Sequence, residues 1–250
     1  MSFCINAKAG YGKSHTLKKE IIPYLKKNYI KYIVSSTTTE NANDLNSIDC
    51  KVINGLILKK GHSTEYLKQT FKNIDYIIID ECSRLNMYLI NTLQYIKNNT
   101  DVSFIFIGDK NQCSIDINNE VMTTEVFNEL VDYNFVSLKW HSKARYNKEY
   151  DTFLCGLLKF KHGGKDKKCL KYVKTFFKDQ IKKTVPDNII NITFTNEKGR
   201  RLSNYMTVHK AQGKSIKEKH SIHEINKMNI KVLYTALSRC TSPDLITLVC

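Results

Sequence analysis

Short apolar runs alternate with longer amphipathic stretches through most of the 250 residues. Phe3–Asn6, Tyr32–Ser35, Tyr76–Ile79, Ser103–Ile107, Ile189–Thr193 and Leu245–Val249 are the apolar runs. Their unbroken character predicts parallel strands covered on both faces. Ser14–Asn28, Ser63–Lys72 and Met87–Asn98 predict helices between them. This is the β-α-β rhythm of an α/β fold with mainly parallel sheets, and Pro23, Pro186 and Pro243 are too few to contradict it. The rhythm breaks between residues 113 and 188, where the chain turns helical and loop-like and then very basic. A boundary near 134–137 is therefore expected, giving two α/β units, 1–135 and 136–250. No internal repeat or low-complexity tract is evident.

Composition narrows the class. With 42% hydrophobic and 10% aromatic residues, the chain is not of a disordered type. No apolar run nears the roughly 20 residues that span a bilayer, and Met1 to Gly10 lacks a secretory pattern. The eight cysteines are scattered, with no C-x-x-C and no Cys/His pair at zinc spacing. Reduced thiols are expected, with neither a disulfide framework nor a metal cluster. These features predict a soluble intracellular protein of cytoplasm or nucleus, with no membrane partner.

The net charge of +15 has two readings. Of the 39 basic residues 34 are Lys and 5 are Arg, and 23 Asn accompany them, as AT-rich coding would produce. That composition suits a virus-encoded protein or another AT-rich replicon. The second reading is a polyanionic partner. Either way the five arginines, Arg84, Arg145, Arg200, Arg201 and Arg239, stand out against the lysine background.

Ala7-Lys8-Ala9-Gly10-Tyr11-Gly12-Lys13-Ser14 follows a predicted strand and opens a predicted helix. It matches the phosphate-binding pattern G-x-x-x-x-G-K-[ST], with Ala7 in place of the first glycine. In such a loop the backbone around Ala9, Gly10, Tyr11, Gly12, Lys13, Ser14 and His15 turns its N–H groups toward phosphate. Lys13 reaches the terminal phosphates and Ser14 supplies a hydroxyl to Mg²⁺. A plain strand-to-helix turn is the alternative. Ile77-Ile78-Ile79-Asp80-Glu81 answers it: an apolar strand ends in two carboxylates, expected to lie beside the loop at the sheet's carboxyl edge. Asp80 is suited to hold Mg²⁺ and Glu81 to activate a water. The pair predicts an NTPase.

The order of motifs resembles a superfamily 1 helicase of the RecD-like and viral group. The resemblance rests on the phosphate loop, Asp80-Glu81-Cys82-Ser83, Gly108-Asp109-Lys110-Asn111-Gln112 (G-D-x-x-Q), Thr207-Val208-His209-Lys210-Ala211-Gln212-Gly213 and Tyr234-Thr235-Ala236-Leu237-Ser238-Arg239. Ser36-Thr37-Thr38, the segment Leu138 to Arg145 and Thr193-Phe194-Thr195-Asn196 match further, weaker motifs. The resemblance implies two RecA-like domains with ATP and Mg²⁺ in the cleft between them. It implies that Gln112 senses the terminal phosphate, and that Arg145 and Arg239 reach across the cleft as arginine fingers; surface salt bridges are the alternative for each arginine. His209, Lys210 and Gln212 would link nucleotide state to a bound strand. Ser36, Thr37 and Thr38 would hold its phosphates, unless they are only the N-cap of a helix from Glu40. Trp140, the lone tryptophan, either stacks on a base or packs inside.

The implied activity is ATP-driven translocation on single-stranded nucleic acid. DNA is favoured because the closing motifs resemble RecD-like DNA helicases; viral RNA helicases share G-D-x-x-Q and keep RNA open. A non-catalytic nucleic-acid-binding subunit is the alternative from another class. The chain departs from the family in three ways: no adenine-recognition motif before the first strand, little room before Asp80 for a strand-separating insertion, and only ten residues between Asn196 and Thr207. A motor core stripped of accessories is expected, loose in base selectivity or part of a longer chain, with strand separation supplied by a partner protein or domain. Leu157–Thr184 carries ten Lys against two Asp. Lys171, Lys174 and Lys178 recur there at helical spacing among Tyr172, Phe176 and Phe177, as either a nucleic-acid contact or a solvated face.

Overall fold

The computed structural model describes residues 1–37, 42–43, 45, 50–53, 64–113, 122, 124–137, 146–160, 167–185 and 188–249. The chain divides into two units, Met1–Lys110 with Ser114–Lys143, and Asn111–Cys113 with Ala144–Cys250.

The first unit is built on six strands: β1 (Phe3–Asn6), β2 (Tyr32–Ser36), β3 (Cys50–Val52), β4 (Tyr76–Asp80), β5 (Ser103–Gly108) and β6 (Tyr133–Ser137). They lie in the order β3-β2-β4-β5-β1-β6. Every pairing is parallel. Alternate side chains of the central strands leave on opposite faces, and both faces are covered. Cys4, Ile77, Ile79, Phe104 and Phe106 join a core with Leu67 and Phe71, Leu89, Ile90, Leu93 and Ile96, and Phe127 and Leu130, from three helices. Ile5, Val34, Ile78, Ile105 and Ile107 pack with Leu17, Ile22 and Leu25 on the other side. Burying each such side chain contributes roughly 1.5–3 kcal/mol, which is why these strands read as continuous apolar runs.

The helical run 13–27 contains Pro23 without ending there. A π-helical turn, Leu17–Ile21, precedes the helix Ile22–Lys27, with proline in its first turn. The wider turn accommodates a residue that neither donates to the preceding turn nor tolerates its carbonyl.

The boundary expected at 135/136 falls inside β6. That strand pairs with β1, Phe3 opposite Tyr133 and Ile5 opposite Val136, so the first unit extends past it. Tyr133–Ser137 mixes polar with apolar residues at a sheet edge, and such a strand carries no continuous apolar signal.

The second unit has a five-stranded parallel sheet: β7 (Ile181–Lys182), β8 (Ile190–Thr193), β9 (Tyr205–Thr207), β10 (His220–His223) and β11 (Ile246–Val249), ordered β7-β11-β10-β8-β9. Helix Ile230–Leu237 is buried along almost its whole length. Helices Lys148–Leu157 and Lys167–Phe176 pack together through Tyr150, Phe153, Tyr172 and Phe176, with the Phe153 and Phe176 rings stacked 4.0 Å apart. No helix among the described residues is long and apolar enough to cross a membrane. None of their His, Cys, Asp and Glu side chains gather in threes as a metal cluster would require.

Candidate functional site

Parallel register brings the chemistry of the first unit to one edge. Ser36 pairs with Asp80, Asp80 with Ile107, and Asn6 with Gly108. The loop after β1, the carboxylates after β4 and the turn after β5 therefore leave the sheet together. β4 is not the immediate neighbour of β1, however; β5 lies between them. The intervening strand supplies what holds the loop. Ala7 N–H donates to the Gly108 carbonyl at 3.0 Å, and Ala9 N–H donates to Asp109 Oδ2 at 2.8 Å. Lys110 N–H donates to Asn6 Oδ1 at 3.1 Å. Asp109 is fully buried, and it is the site residue that sequence reasoning missed. Its signal was present, as the acidic position of G-D-x-x-Q directly after an apolar strand.

Gly10 and Gly12 take φ of 78° and 87°, the left-handed region that costs other residues roughly 1–2 kcal/mol. Gly12 is the N-cap of the helix that begins at Lys13. Thr16 N–H is the first to close a helical bond, to Gly12 O at 2.9 Å. Helix geometry therefore leaves the N–H groups of Lys13, Ser14 and His15 in the open first turn, where an anion is favoured. Ala9 and Tyr11 differ from expectation. Their amides are used inside the protein, on Asp109 and on the Lys8 carbonyl (3.3 Å), so they shape the loop instead of lining it with donors. The Lys8 ammonium lies 5.4 Å from the Tyr11 ring centre. Lys13 is buried and donates to the carbonyls of Ala7 at 2.8 Å and Lys8 at 3.1 Å. Ser14 and His15 are exposed.

Asp80 and Glu81 are both buried. Burial, and next the neighbouring Glu81 carboxylate, push Asp80 up to about 7, against a smaller pull from Lys13. Glu81 sits at φ 55°, a left-handed conformation in a residue without glycine's freedom. Its Oε2 is buried without a hydrogen-bond partner among the described residues. The following turn is pressed against β5: a Cβ at Gly108 would lie 2.6 Å from Cys82 Sγ. Only glycine lets the two motifs meet this closely.

The Ser36–Thr38 segment divides. The Ser36 side chain is fully buried beside Asp80, its Oγ without a partner among the described residues. That burial corrects the expectation of a hydroxyl presented to a nucleic-acid phosphate. The Thr37 hydroxyl donates to the Glu81 carbonyl at 3.4 Å. Thr38 lies outside the described residues, as do Trp140, Arg145 and the segment 138–145.

The second unit gathers the closing motifs. Residues Asn111–Cys113 belong to it, so the G-D-x-x-Q motif is split: Asp109 in the first unit, Gln112 in the second. Gln112 is buried. Cys113 N–H donates to Thr235 Oγ1 at 2.9 Å, and its thiol donates to Gln212 Oε1 at 3.5 Å. Gln212 is thus a buried structural partner of this segment. His209 is half-buried and Lys210 exposed, on a short helix capped by Thr207.

Arg239 is almost completely buried. Its Nε donates to Thr235 O at 2.9 Å, one terminal nitrogen to Ser238 Oγ at 2.9 Å, the other to Lys214 O at 3.5 Å. The ion pairs among the described residues do not include it. A buried guanidinium without a carboxylate is a costly arrangement that an anionic ligand relieves. Two tyrosines unremarked in the sequence fix the helix end before it: Tyr150 OH donates to Leu237 O at 2.9 Å and Tyr146 OH to Ser238 O at 2.7 Å.

Comparison with known proteins agrees with this arrangement. No curated protein matches the chain. Among solved structures, Pif1 helicase from Candida albicans is similar with a TM-score of 0.75 at 12% identity, over 100% of this chain and 91% of that one. Bacteroides Pif1 bound to ssDNA gives 0.69 at 13% identity, over 100% and 88%. The PRRSV helicase gives 0.59 at 13% identity, over 99% of this chain and 52% of that one. These likenesses establish the fold, two α/β units of the RecA-like kind. The family description "Viral superfamily 1 RNA helicase core domain" matches residues 4–246, nearly the whole chain, and the protein therefore belongs to the superfamily 1 helicases.

Proposed function

We propose that the protein is an ATP-dependent translocase on single-stranded nucleic acid, with Lys13, Asp80 and Glu81 as the core of its nucleotide site. The observation that carries this reading is the convergence, at one sheet edge, of an open helix first turn, a buried lysine and two buried carboxylates, one with an unpartnered oxygen. These residues fit a nucleotide with its metal. Lys13 would exchange the Ala7 and Lys8 carbonyls for phosphate oxygens, while the N–H groups of Lys13, Ser14 and His15 hold the same anion. Magnesium bound with the nucleotide would neutralise phosphate charge, held by the Ser14 hydroxyl and the Asp80 carboxylate. Glu81, with an oxygen to spare, would orient a water and take its proton. Arg239 is the proposed arginine finger, its charge uncompensated by any carboxylate among the described residues. Gln112 is the proposed phosphate sensor. The G-D-x-x-Q segment is anchored by Asp109 to the phosphate loop and by Cys113 to Thr235 and Gln212. A change at the loop therefore has a short covalent route into the second unit.

His209, Lys210 and Thr37 remain the proposed strand contacts, with Lys210 the exposed cation among them. DNA is the proposed substrate, supported by the likeness to Pif1 bound to ssDNA. RNA is the second reading, favoured by the family description. Phosphate release measured with Mg²⁺, with and without oligonucleotide, tests the proposal. Stimulation by single-stranded DNA exceeding that by RNA of the same length is expected, and the reverse order selects the second reading. No turnover under either condition would leave only a binding subunit.

A further inference from the structure

The helix Lys167–Phe176 and the turn after it carry a feature outside every helicase motif. Lys167, Lys171, Lys174 and Lys178 follow one another at intervals of four, three and four residues, so they form one row along the helix. Lys167, Lys171 and Lys178 are exposed and Lys174 half-buried. With Leu170 and Thr175 they line a shallow groove of about 560 Å³. None of the four takes part in the ion pairs found among the described residues. At about 1.5 Å of rise per residue the backbone positions of Lys167, Lys171 and Lys174 are spaced by about 4.5–6 Å along the helix, and their long side chains can reach successive backbone phosphates.

The aromatic residues of this segment do not serve the row. Phe177 is fully buried. Phe176 stacks on Phe153 at 4.0 Å, and Tyr172 stacks on Phe153 at 5.2 Å while its hydroxyl donates to the Phe153 carbonyl at 3.2 Å. They pack the two helices together, and none of them lines the lysine groove as a platform for unstacked bases, contrary to the interleaved pattern in the sequence. The row also contains no arginine, so it lacks the planar fork that reads guanine edges. A surface that holds phosphates and ignores bases suits a ligand whose bases are already stacked inside.

We propose that this lysine row is a sequence-independent docking site for the sugar–phosphate backbone of duplex nucleic acid, separate from the single-strand contacts proposed above. It would hold the duplex ahead of or behind the motor without contributing to the nucleotide site. The site goes beyond the translocase reading and does not depend on it, because duplex binding is measured without nucleotide.

The test compares the full chain with a variant carrying Lys167→Gln, Lys171→Gln, Lys174→Gln and Lys178→Gln, by fluorescence anisotropy on a mixed-sequence duplex and on one of its strands. The slope of log affinity against log salt should flatten for the duplex by up to about 3.6, at about 0.9 per lost phosphate contact. Single-strand affinity and nucleic-acid-free ATPase should stay at wild-type values. The four-fold Lys→Arg variant should retain duplex binding, since it keeps the charge. Wild-type duplex affinity and slope in the Gln variant would overturn the proposal, and so would a loss on the single strand as large as that on the duplex.

Discussion

Replacing Asp80 with asparagine should stabilise the nucleotide-free protein while disabling it. Asp80 ends a central strand, buried, with Glu81 next to it, and these two causes raise its carboxyl from 3.8 to about 7. A group whose folded value lies above its unfolded value favours the fold when protonated. The stabilising effect of that proton is complete below about pH 4 and is lost progressively as pH rises through about 7. At about 1.4 kcal/mol per pH unit, the full shift sets a ceiling of about 4 kcal/mol on the destabilisation at pH 8. The surroundings relax around a buried charge, so about 2 kcal/mol is the expected gain when an amide of equal size removes it. For a unit of this size, about 2–4 °C per kcal/mol gives a rise in melting temperature of about 5 °C. The assay is thermal unfolding of wild type and Asp80→Asn without nucleotide or divalent metal, at several values between pH 4.5 and 8. The gain should be largest at pH 8 and shrink as the pH falls. A variant no more stable than wild type at pH 8, or one with the same gain at every pH, would refute the reasoning.

Three further substitutions probe the rest of the site. Asp109→Ala removes the acceptor of Ala9 N–H and should weaken nucleotide binding by about tenfold, the effect of roughly 1.5 kcal/mol on one buried charge-assisted bond, as read by a fluorescent nucleotide titration. Gly108→Ala drives a Cβ into Cys82 Sγ and should lower the melting temperature together with turnover, whereas Cys82→Ala combined with it should recover part of both. Arg239→Lys keeps the charge but loses the fork that bonds Thr235, Ser238 and Lys214; turnover should fall by about 10³-fold with nucleotide affinity changed far less, and full activity in the lysine variant would show that Arg239 serves packing alone.

The strands legible in the sequence are those whose two faces are both apolar. Phe3–Asn6, Tyr76–Asp80 and Ser103–Gly108 differ from the expected runs by at most one residue, because helices cover both sides. β10 was silent for the opposite reason. His220–His223 holds a single apolar residue, Ile222, yet all four are buried. Ser221 donates to Asn191 Oδ1 at 2.7 Å and lies 2.7 Å from His223 Nε2, so one face of this sheet is filled by a polar network that no hydrophobic pattern can announce. β3, β6, β7 and β9 are short or lie at sheet edges, where the apolar signal is weak.

The nucleotide motifs were legible because loop, lysine and carboxylates each sit within a few residues of a strand end. What holds them was not. Asp109 bonding to Ala9, Cys113 bonding to Thr235, and Tyr146 and Tyr150 capping the helix before Arg239 link residues about 90 to 120 positions apart. Ser36 shows the converse error: its hydroxyl resembles a ligand contact in sequence, but the register with Asp80 buries it.

The central claim is that Lys13, Asp80 and Glu81 form a working ATP-hydrolysing site, and Glu81→Gln tests it most directly. Steady-state phosphate release should be measured for wild type and variant with Mg²⁺ and a saturating single-stranded oligonucleotide, with nucleotide affinity measured alongside. The amide keeps the size and hydrogen-bonding reach of Glu81 but cannot accept the proton of the attacking water. Turnover should therefore fall by roughly two orders of magnitude or more while nucleotide affinity stays within a few-fold of wild type. Wild-type turnover in Glu81→Gln would contradict the account.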